Sequence, residues 1–458
     1  MGFMARDAIA GDVIVAGDDA YDDARQVYNL LHDTRPALIV RPRTAADVAR
    51  ALELARQEGH EVAVKSGGHS IGGFGTTEGG LLIDLAAMDA IDVDPAQRRA
   101  TVGGGVRAGA LTTATYDHGL IVPFGDSPDV GVSGITLGGG IGWLSRKLGL
   151  TLDSLEGAEV VLADGQIVTA DHDQNPDLFW ALRGGGGNFG VVTRMRFRLH
   201  PLGPVLGGVL ALPATPDVVR GVLDLADAAP DDLGTIALVT RMPPLPFVPE
   251  DAHGQPAVMI TLVWSGEPDE GEHRIDGLRQ LAPPLVDDVV LRPYPEMYDL
   301  FADVPPSVTN ATTTLLADDA TDLDDPGARA ILDAIEEPPE PDAPVLSGVE
   351  LRVLGGAIAR TPDHTTAFGH RGRKLAISIV AAGFEPDRAD IHRAWITALA
   401  DRLAPVSKGA YLNFVDTNDE HRLDDVYPPP TRQRLATAKA RYDPDNVFHR
   451  NLTIPPAT

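Results

Sequence analysis

The chain has 458 residues, and 43% of them are hydrophobic, which is enough for two or more hydrophobic cores. It carries 38 Lys plus Arg against 66 Asp plus Glu, a formal net charge of -28 at pH 7. This charge repels phosphate backbones and anionic membranes, so neither nucleic acid nor a membrane is an expected partner. The chain contains no cysteine, which excludes disulfides, thiolate metal sites and cysteine nucleophiles.

The N-terminus gives no sign of a targeting segment. Residues 1–7 lack a basic region followed by an apolar run, and no stretch of the sequence approaches the length of a membrane span. A cytoplasmic location is therefore expected. The 13 histidines show neither the His-Glu-x-x-His spacing of zinc enzymes nor a convincing carboxylate set, so no metal site is predicted.

The first 200 residues alternate helical and strand patterns. Thr44 can cap a helix with Asp47, three residues further on, and Gly59 marks the end of that helix. Short apolar runs then predict strands, and two pairs of them form hairpins across polar turns. These strands lie at residues 61–65, 81–85, 91–93, 100–102, 158–162 and 166–169.

The sequence changes character near residue 204, where the glycine clusters end. We expect residues 204–405 to form a second domain, and the tail after it differs again. Helical patterns lie at 216–228 and 432–442, strands at 236–240 and 258–263, and acidic, proline-rich surface loops at 317–325 and 336–344.

Four glycine-rich segments lie in the first 200 residues, at 66–75, 103–105, 131–142 and 184–190. Each alone could be a simple turn. Glycine also lets backbone amides approach a ligand and form a nest for phosphate oxygens. Four such segments together indicate a large, charged cofactor.

Residues 103–109 could open a nicotinamide-binding fold, because a glycine run follows a strand and precedes a helix. The strand is short, however, and belongs to a predicted hairpin. No parallel strand ending in an acidic ribose-binding residue follows. This alternative is therefore disfavoured.

His69 follows Gly67 and Gly68 and precedes Ser70. A lone histidine in a loop is most often a satisfied polar residue. Here the flanking glycines leave the ring exposed beside the predicted phosphate nest. This setting suits the attachment of a cofactor whose phosphates lie on the same loop.

Several longer motifs carry a family resemblance. They are RPALIVRP at 35–42, VKSGGHS at 64–70, LGGGIGWLSRK at 137–147, FWALR at 179–183, GNFGVVT at 187–193, ARYDPDNVF at 440–448, and Asn451. Together they resemble the FAD-linked oxidases of the berberine bridge enzyme-like group, within the vanillyl-alcohol oxidase type of flavoprotein. The resemblance covers both ends of the chain and is loose in the middle.

The resemblance implies an α+β fold with a two-part FAD-binding domain of the PCMH type. Residues 1–203 would form its first part, and a C-terminal segment, 406–458, would return to it. Residues 204–405 would form an inserted α+β substrate domain in which helices cover an antiparallel sheet.

The resemblance also implies FAD attached through its 8α carbon to His69. Ser127 occupies the position from which many relatives form a second, cysteinyl bond, so a single link is expected. Val130 lies where relatives control the access of oxygen, although it could equally fill core space. The other implied cofactor-binding residues are Ser66, Gly67, Gly68, Ser70, Gly125, Gly131, Ser133, Gly134, Gly138, Gly139, Gly142, Gly190, Val192, Asn413 and Asn451.

Tyr411 is the implied catalytic base, because some relatives place a tyrosine of this tail motif near the substrate. Alternatively, it is packed in an apolar strand with its hydroxyl bonded to backbone or cofactor. A base would need a neighbouring cation, such as Lys65 or Arg146, to lower its pKa. Asn413 is expected to hold the flavin or to orient the tyrosine. His370, Arg371 and residues 294–298 could line the substrate pocket or belong to the core or surface.

The implied reaction removes a hydride from a C–H bond next to oxygen or nitrogen in a small molecule: a sugar, an alcohol, an amine or a secondary metabolite. Dioxygen would then reoxidise the flavin and give hydrogen peroxide. Two alternatives stay open: a dehydrogenase with another acceptor, and a flavin-binding protein without turnover. The oligomeric state is also open.

Overall fold

The computed structural model describes residues 9–301, 305, 307–341, 343, 345–416 and 421–457. The strands up to residue 201 are β1 Asp12–Ile14, β2 Leu38–Arg41, β3 Val62–Lys65, β4 Leu81–Asp84, β5 Ile91–Asp94, β6 Arg99–Gly103, β7 Leu120–Ile121, β8 Leu155–Val161, β9 Ile167–Asp171, β10 Val191–Arg198 and β11 His200–Pro201. The later strands are β12 Val205–Pro213, β13 Leu233–Arg241, β14 Pro256–Trp264, β15 Val286–Asp287, β16 Val290–Arg292, β17 Asn310–Ala317, β18 Leu346–Val353 and β19 Leu375–Ala382.

Helices connect and cover these strands. The α-helices are Tyr21–Arg25, Ala45–Glu58, Ala108–Tyr116, Val132–Gly138, Ser145–Leu148, Pro176–Leu182, Pro216–Ala228, Pro268–Arg279, Asp325–Glu336, Gly356–Arg360, Ala389–Leu403, Leu423–Val426 and Pro429–Tyr442. The 3-10 helices are Leu85–Ala87, Thr151–Ser154, Glu250–Ala252, Tyr294–Phe301, Ala320–Asp322, Asp363–Thr365, Pro386–Arg388, Ala404–Val406 and Leu412–Phe414.

A four-stranded sheet in the order β1-β2-β4-β3 begins the fold. Strands β2, β4 and β3 are parallel, and β1 is antiparallel to β2. The predicted helix packs on this sheet and spans Ala45–Glu58. Thr44 and Asp47 form the predicted capping box, and Gly59 ends the helix with a φ of 72°, where glycine carries no Cβ penalty.

A five-stranded antiparallel sheet in the order β5-β6-β10-β8-β9 lies next along the chain. It contains both predicted hairpins, β5 with β6 and β8 with β9. Strand β6 runs antiparallel to both of its neighbours. The glycine run after β6 therefore does not open a parallel nucleotide-binding unit, which excludes the nicotinamide alternative.

An eight-stranded antiparallel sheet in the order β15-β12-β14-β13-β18-β19-β17, with β16 beside β12, follows. Helices Pro216–Ala228, Asp325–Glu336 and Ala389–Leu403 cover one of its faces and share its hydrophobic core. The helix predicted at residues 216–228 is therefore confirmed. This sheet also supplies polar side chains to the cavity described below.

The two predicted acidic loops of this region have different outcomes. The prediction for residues 317–325 is wrong in part, because Ala320 and Leu323 are buried in the core under the helices. The second segment, 336–344, follows helix Asp325–Glu336 as an irregular segment in its described part. Residues 342 and 344 lie outside the described residues.

The C-terminal tail packs back onto the first 200 residues. Helix Pro429–Tyr442 covers the predicted helical pattern at 432–442. Its Leu435, together with Leu452 and Ile454, belongs to the same hydrophobic core as the five-stranded sheet. Both ends of the chain therefore build one part of the fold.

A fully buried ion pair stabilises this tail. Lys439 Nζ lies 2.5 Å from Asp443 Oδ2 and also donates to the carbonyl oxygens of Asn188 and Phe448. Asp443 accepts the backbone N–H groups of Val447 and Phe448. The pair therefore fixes the turn by which the tail reaches the glycine segment before β10.

Replacing Lys439 with methionine should leave the Asp443 carboxylate buried without its cation. We expect the free energy of unfolding to fall by about 3–5 kcal/mol. Urea unfolding followed by tryptophan fluorescence measures this loss. The matched control is Arg432→Met, which breaks a solvent-exposed pair with Asp424 and should change unfolding little. Equal losses in the two variants would contradict the role given to the buried pair.

Among the described residues, no helix has both the length and the apolar character needed to cross a membrane.

Candidate functional site

A cavity of about 440 Å³ extends from the four-stranded sheet to the eight-stranded sheet. Val62 and Val64 of β3 line its apolar part, and Glu350 and Arg352 of β18 line a charged part. Glycine-rich backbone lies between them. A cavity of this size, with apolar walls and a few convergent polar groups, is typical of a cofactor or ligand site.

The predicted base and most of the predicted cofactor-binding residues line this cavity. They are Tyr411, His69, Ser66, Gly67, Gly68, Ser70, Gly125, Ser127, Val130, Gly131, Ser133, Gly134, Gly190, Val192, Asn413 and Asn451. These residues come from five separate segments of the sequence, which the fold brings together.

Gly138, Gly139 and Gly142 are not among the residues that line the cavity, so their contact with the cofactor stays a prediction. A Cβ atom on Gly138 would lie 1.9 Å from Asn413 Oδ1, and one on Gly139 would lie 3.0 Å from the Tyr411 ring. A Cβ on Gly142 would meet a backbone carbonyl oxygen at 1.9 Å. These glycines make room for their neighbours, and two of those neighbours are cavity residues.

His69 is half-buried in the cavity wall. Its ring stacks on Tyr28, with ring centroids 4.7 Å apart, and none of the described residues hydrogen-bonds its ring nitrogens. Burial lowers the pKa of His69 from 6.5 to about 4, with a further lowering from Arg107 and an opposing effect of Asp129. The imidazole is therefore neutral at physiological pH, as a nucleophilic nitrogen must be.

Two backbone segments meet beside His69. A Cβ on Gly67 would lie 2.2 Å from the Gly131 nitrogen, so only glycine permits this contact. Ser66 and Ser133 both donate their hydroxyls to the Gly104 carbonyl oxygen, at 2.7 and 2.8 Å. These hydrogen bonds fix the loops. Because both hydroxyls already donate to a carbonyl oxygen, backbone N–H groups would contact an anion here.

The residues present fit FAD. The cavity offers apolar walls for aromatic rings, glycine backbone for phosphates and a neutral histidine for attachment. A Cβ on Gly134 would meet no atom within 4 Å, so this stretch of backbone faces open space, as contact with a dinucleotide requires.

Tyr411 is buried at the cavity wall and precedes the 3-10 helix Leu412–Phe414 instead of lying in a strand. Its hydroxyl oxygen accepts the backbone N–H of Gly140 and the side-chain amide of Asn413, both at 2.9 Å. Asn413 therefore orients the tyrosine, which was one of its two predicted roles. Burial raises the pKa of Tyr411, and these hydrogen bonds and Arg352 partly oppose the rise.

The cation beside Tyr411 is Arg352. Of the two predicted candidates, Lys65 lines the cavity but faces other partners, and Arg146 is not among the residues that line the cavity. Lys65 Nζ donates to backbone carbonyl oxygens of residues 24 and 26 and faces Asp84 at 3.5 Å. Arg146 donates to the carbonyl oxygens of Leu354 and Ala229. The Lys65 ammonium and the Nη atoms of Arg146 therefore face these partners and not Tyr411, which corrects the prediction.

Arg352 is the centre of a charged cluster that the sequence analysis missed. Its Nε lies 2.5 Å from Glu350 Oε1, and its Nη2 lies 2.8 Å from Asp126 Oδ2. All three residues line the cavity. Glu350 and Arg352 are two positions apart on β18, so they share a face of the sheet. Two charged residues, two positions apart in an otherwise apolar strand, were the sequence signal that could have revealed this cluster.

Hydroxyl and amide groups continue this polar wall. Thr312 donates to Asn310 Oδ1 at 2.7 Å, and the buried Ser378 hydroxyl has no hydrogen-bond partner among the described residues. All three side chains line the cavity. An unpaired buried hydroxyl beside a cavity is available to a ligand.

The other predicted pocket residues lie outside the cavity. His370 bonds to the carbonyl oxygens of residues 425 and 426, and Arg371 forms a bidentate pair with Asp153. Tyr294 and Tyr298 are buried against Trp143. All four predicted residues therefore have structural contacts instead of a place in the pocket wall.

Comparisons with known proteins agree with this site. The FAD binding domain family matches residues 36–171, and the family described as berberine and berberine like matches residues 410–455. (R)-6-hydroxynicotine oxidase of Paenarthrobacter nicotinovorans is 32% identical over 457 residues, 98% of this chain and 97% of that protein.

Solved structures share the whole fold. The crystal structure of 6-hydroxy-D-nicotine oxidase from Arthrobacter nicotinovorans has a TM-score of 0.88 at 29% identity and covers 98% of this chain and 99% of its own. Xylooligosaccharide oxidase from Myceliophthora thermophila C1, in complex with xylobiose, has a TM-score of 0.86 at 25% identity and covers 100% and 98%.

Fold and cavity together define a flavoprotein of the vanillyl-alcohol oxidase type, and the predicted α+β fold is confirmed. The chain belongs to the FAD-linked oxidoreductases of the berberine bridge enzyme-like group. It is an FAD-linked enzyme, as the sequence motifs predicted.

Proposed function

We propose that this enzyme oxidises a C–H bond next to nitrogen or oxygen in a small molecule. The observation that carries the proposal is one cavity that joins His69, Tyr411 and the Glu350–Arg352 pair. FAD bound there would accept the hydride at its N5 atom. The residues of this chain hold the cofactor, orient the substrate and move a proton.

The proposed roles follow from the contacts. The backbone of residues 66–70 and 131–134 holds the phosphates, and His69 forms the single covalent link, since Ser127 carries no thiol. Tyr411 removes the substrate proton at its hydroxyl oxygen, where two N–H donors stabilise negative charge. Val130, on the cavity wall, governs the approach of dioxygen. We keep the cytoplasm as the proposed location.

The charges at the β18 end of the cavity favour amines among the candidate substrates. There Asp126 and Glu350 place two carboxylates around the single guanidinium of Arg352, whereas Lys65 and Arg450, which line other parts of the cavity, face Asp84 and Glu61. The excess negative charge attracts a protonated amine and repels a carboxylate. The relatives include one named for a nicotine, an amine, and one named for an oligosaccharide. Sugars are therefore the second class to test.

Oxygen electrode measurements with a panel of amines, sugars and simple alcohols test the proposal. We expect oxygen consumption with matching release of hydrogen peroxide, fastest with an amine. Turnover that requires an artificial electron acceptor would favour the dehydrogenase alternative. No reduction of the bound flavin by any donor would leave only the flavin-binding protein without turnover.

The low pKa of His69 gives a pH prediction for covalent attachment. A free imidazole becomes protonated, and loses its nucleophilic nitrogen, as the pH falls through 6.5, whereas His69 stays neutral down to about 4. We expect the rate at which added FAD becomes acid-insoluble to show no titration between about pH 5.5 and about pH 8. If the attachment rate instead fell tenfold as the pH was lowered through 6.5, this environment of His69 would be contradicted.

A further inference from the structure

Tyr28 lies between His69 and the eight-stranded sheet. Its ring stacks on the imidazole with an interplanar angle of 15° and a centroid distance of 4.7 Å. Its backbone N–H donates to the Gly68 carbonyl oxygen, and its carbonyl oxygen accepts the Val308 N–H, both at 3.0 Å. Tyr28 is therefore fixed at its backbone by the His69 loop and by the segment that precedes β17.

The next residue locks this segment in place. Asn29 is fully buried, and its Nδ2 donates to the carbonyl oxygens of Ile71 and Asn310, at 2.7 and 2.9 Å. Its Oδ1 accepts the Asn310 N–H at 3.0 Å. The backbone position of Tyr28 thus depends on the His69 loop and on β17 together.

The plane of the imidazole needs such a support. The torsion between the Cβ atom and the ring of a histidine is broad, so the rotamer alone does not decide where the ring nitrogens point. His69 has no hydrogen bond among the described residues that would orient it. Among the described residues, the Tyr28 ring is the stacking contact that holds the plane of the imidazole.

We infer that Tyr28 is a positioning residue for the attachment of FAD. Its ring holds the His69 imidazole in the plane from which a ring nitrogen reaches the 8α carbon. The inference rests on the proposed covalent link through His69. Tyr28 acts through the shape of its ring, so a phenylalanine at this position should support attachment equally well.

The attachment reaction is balanced without any group from Tyr28. One N–C bond forms, while the imidazole loses its N–H proton and the 8α methyl group loses one hydrogen. The two protons and two electrons released reduce the flavin ring, and dioxygen takes them up as hydrogen peroxide. Tyr28 contributes geometry alone, and misplacement of a reacting atom by about 1 Å slows a reaction by about a hundredfold.

The test compares Tyr28→Leu with Tyr28→Phe. Each protein, produced with limited riboflavin, is mixed with FAD, and total bound flavin and acid-insoluble flavin are followed over time. We expect Tyr28→Leu to bind as much flavin as the wild type but to attach it at least about tenfold more slowly. Tyr28→Phe should attach it within about twofold of the wild-type rate. Tyr116→Leu, at a partly buried tyrosine outside the cavity, is the control.

Three results would overturn the inference: attachment by Tyr28→Leu at the wild-type rate, equal slowing in Tyr28→Phe, or a loss of total flavin that accounts for the slowing. If the leucine variant does not fold, Tyr28→Met places a longer, flexible apolar side chain there without a ring and tests the same point. Wild-type protein with no acid-insoluble flavin would instead refute the proposed link itself, so the two failures are distinguishable.

Discussion

Replacing His69 with alanine should convert the bound flavin from covalent to releasable. The wild-type protein, precipitated with acid, should give a yellow pellet, and His69→Ala should give a colourless pellet and a yellow supernatant. The reason is that Ser127 offers no thiol for a second bond, so His69 is the sole proposed link. We also expect flavin reduction by substrate to slow about tenfold, or about 1.4 kcal/mol of barrier, because the histidyl link should raise the flavin's reduction potential.

His200→Ala is the matched control for this variant. Burial lowers the pKa of His200 to about 4, as it does for His69, but its Nε2 bonds to Ser154 Oγ at 3.0 Å outside the cavity. The control should keep its yellow pellet. A yellow pellet from His69→Ala would mean that another residue holds the flavin.

Replacing Tyr411 with phenylalanine should lower kcat by about 10² to 10⁴, the range for loss of a general base. Because burial places the pKa of the Tyr411 hydroxyl above 10, the base form is scarce at neutral pH. Wild-type kcat should therefore rise tenfold per pH unit towards alkaline pH, and the variant should lose this dependence. Steady-state kinetics with the best substrate of the panel measure both effects.

Tyr427→Phe controls for the loss of a buried phenol. The Tyr427 hydroxyl is buried without a hydrogen-bond partner among the described residues, and the residue does not line the cavity. Its kcat and pH profile should match the wild type. If Tyr411→Phe keeps kcat within about threefold and keeps the pH slope, Tyr411 is a packed structural tyrosine.

Local features of the fold were predictable because their signals are local. The helix at Ala45–Glu58 carries its capping box and its terminal glycine within one stretch of sequence. The hairpin β5–β6 likewise needs only a turn and two apolar runs. Its antiparallel pairing excludes the nicotinamide alternative, which requires parallel strands. The prediction of a surface loop at 317–325 was wrong in part because the acidic residues there flank two apolar residues, Ala320 and Leu323, that are buried in the core.

The cavity could be predicted only in part, because its charged end depends on distant contacts. Asp126 and Arg352 are 226 positions apart and meet only in the folded chain. Arg146 looked available as a cation, yet its partners at residues 229 and 354 reach it only through the tertiary fold. The stack of Tyr28 on His69 likewise joins two loops that no short motif connects.

Anaerobic mixing of the purified enzyme with the amine, sugar and alcohol panel tests the central claim most directly. We expect at least one amine or sugar to bleach the visible absorbance of the bound flavin, and admission of oxygen to restore it with release of hydrogen peroxide. If dithionite bleaches the flavin and no member of the panel does, hydride transfer from a C–H bond next to nitrogen or oxygen is contradicted.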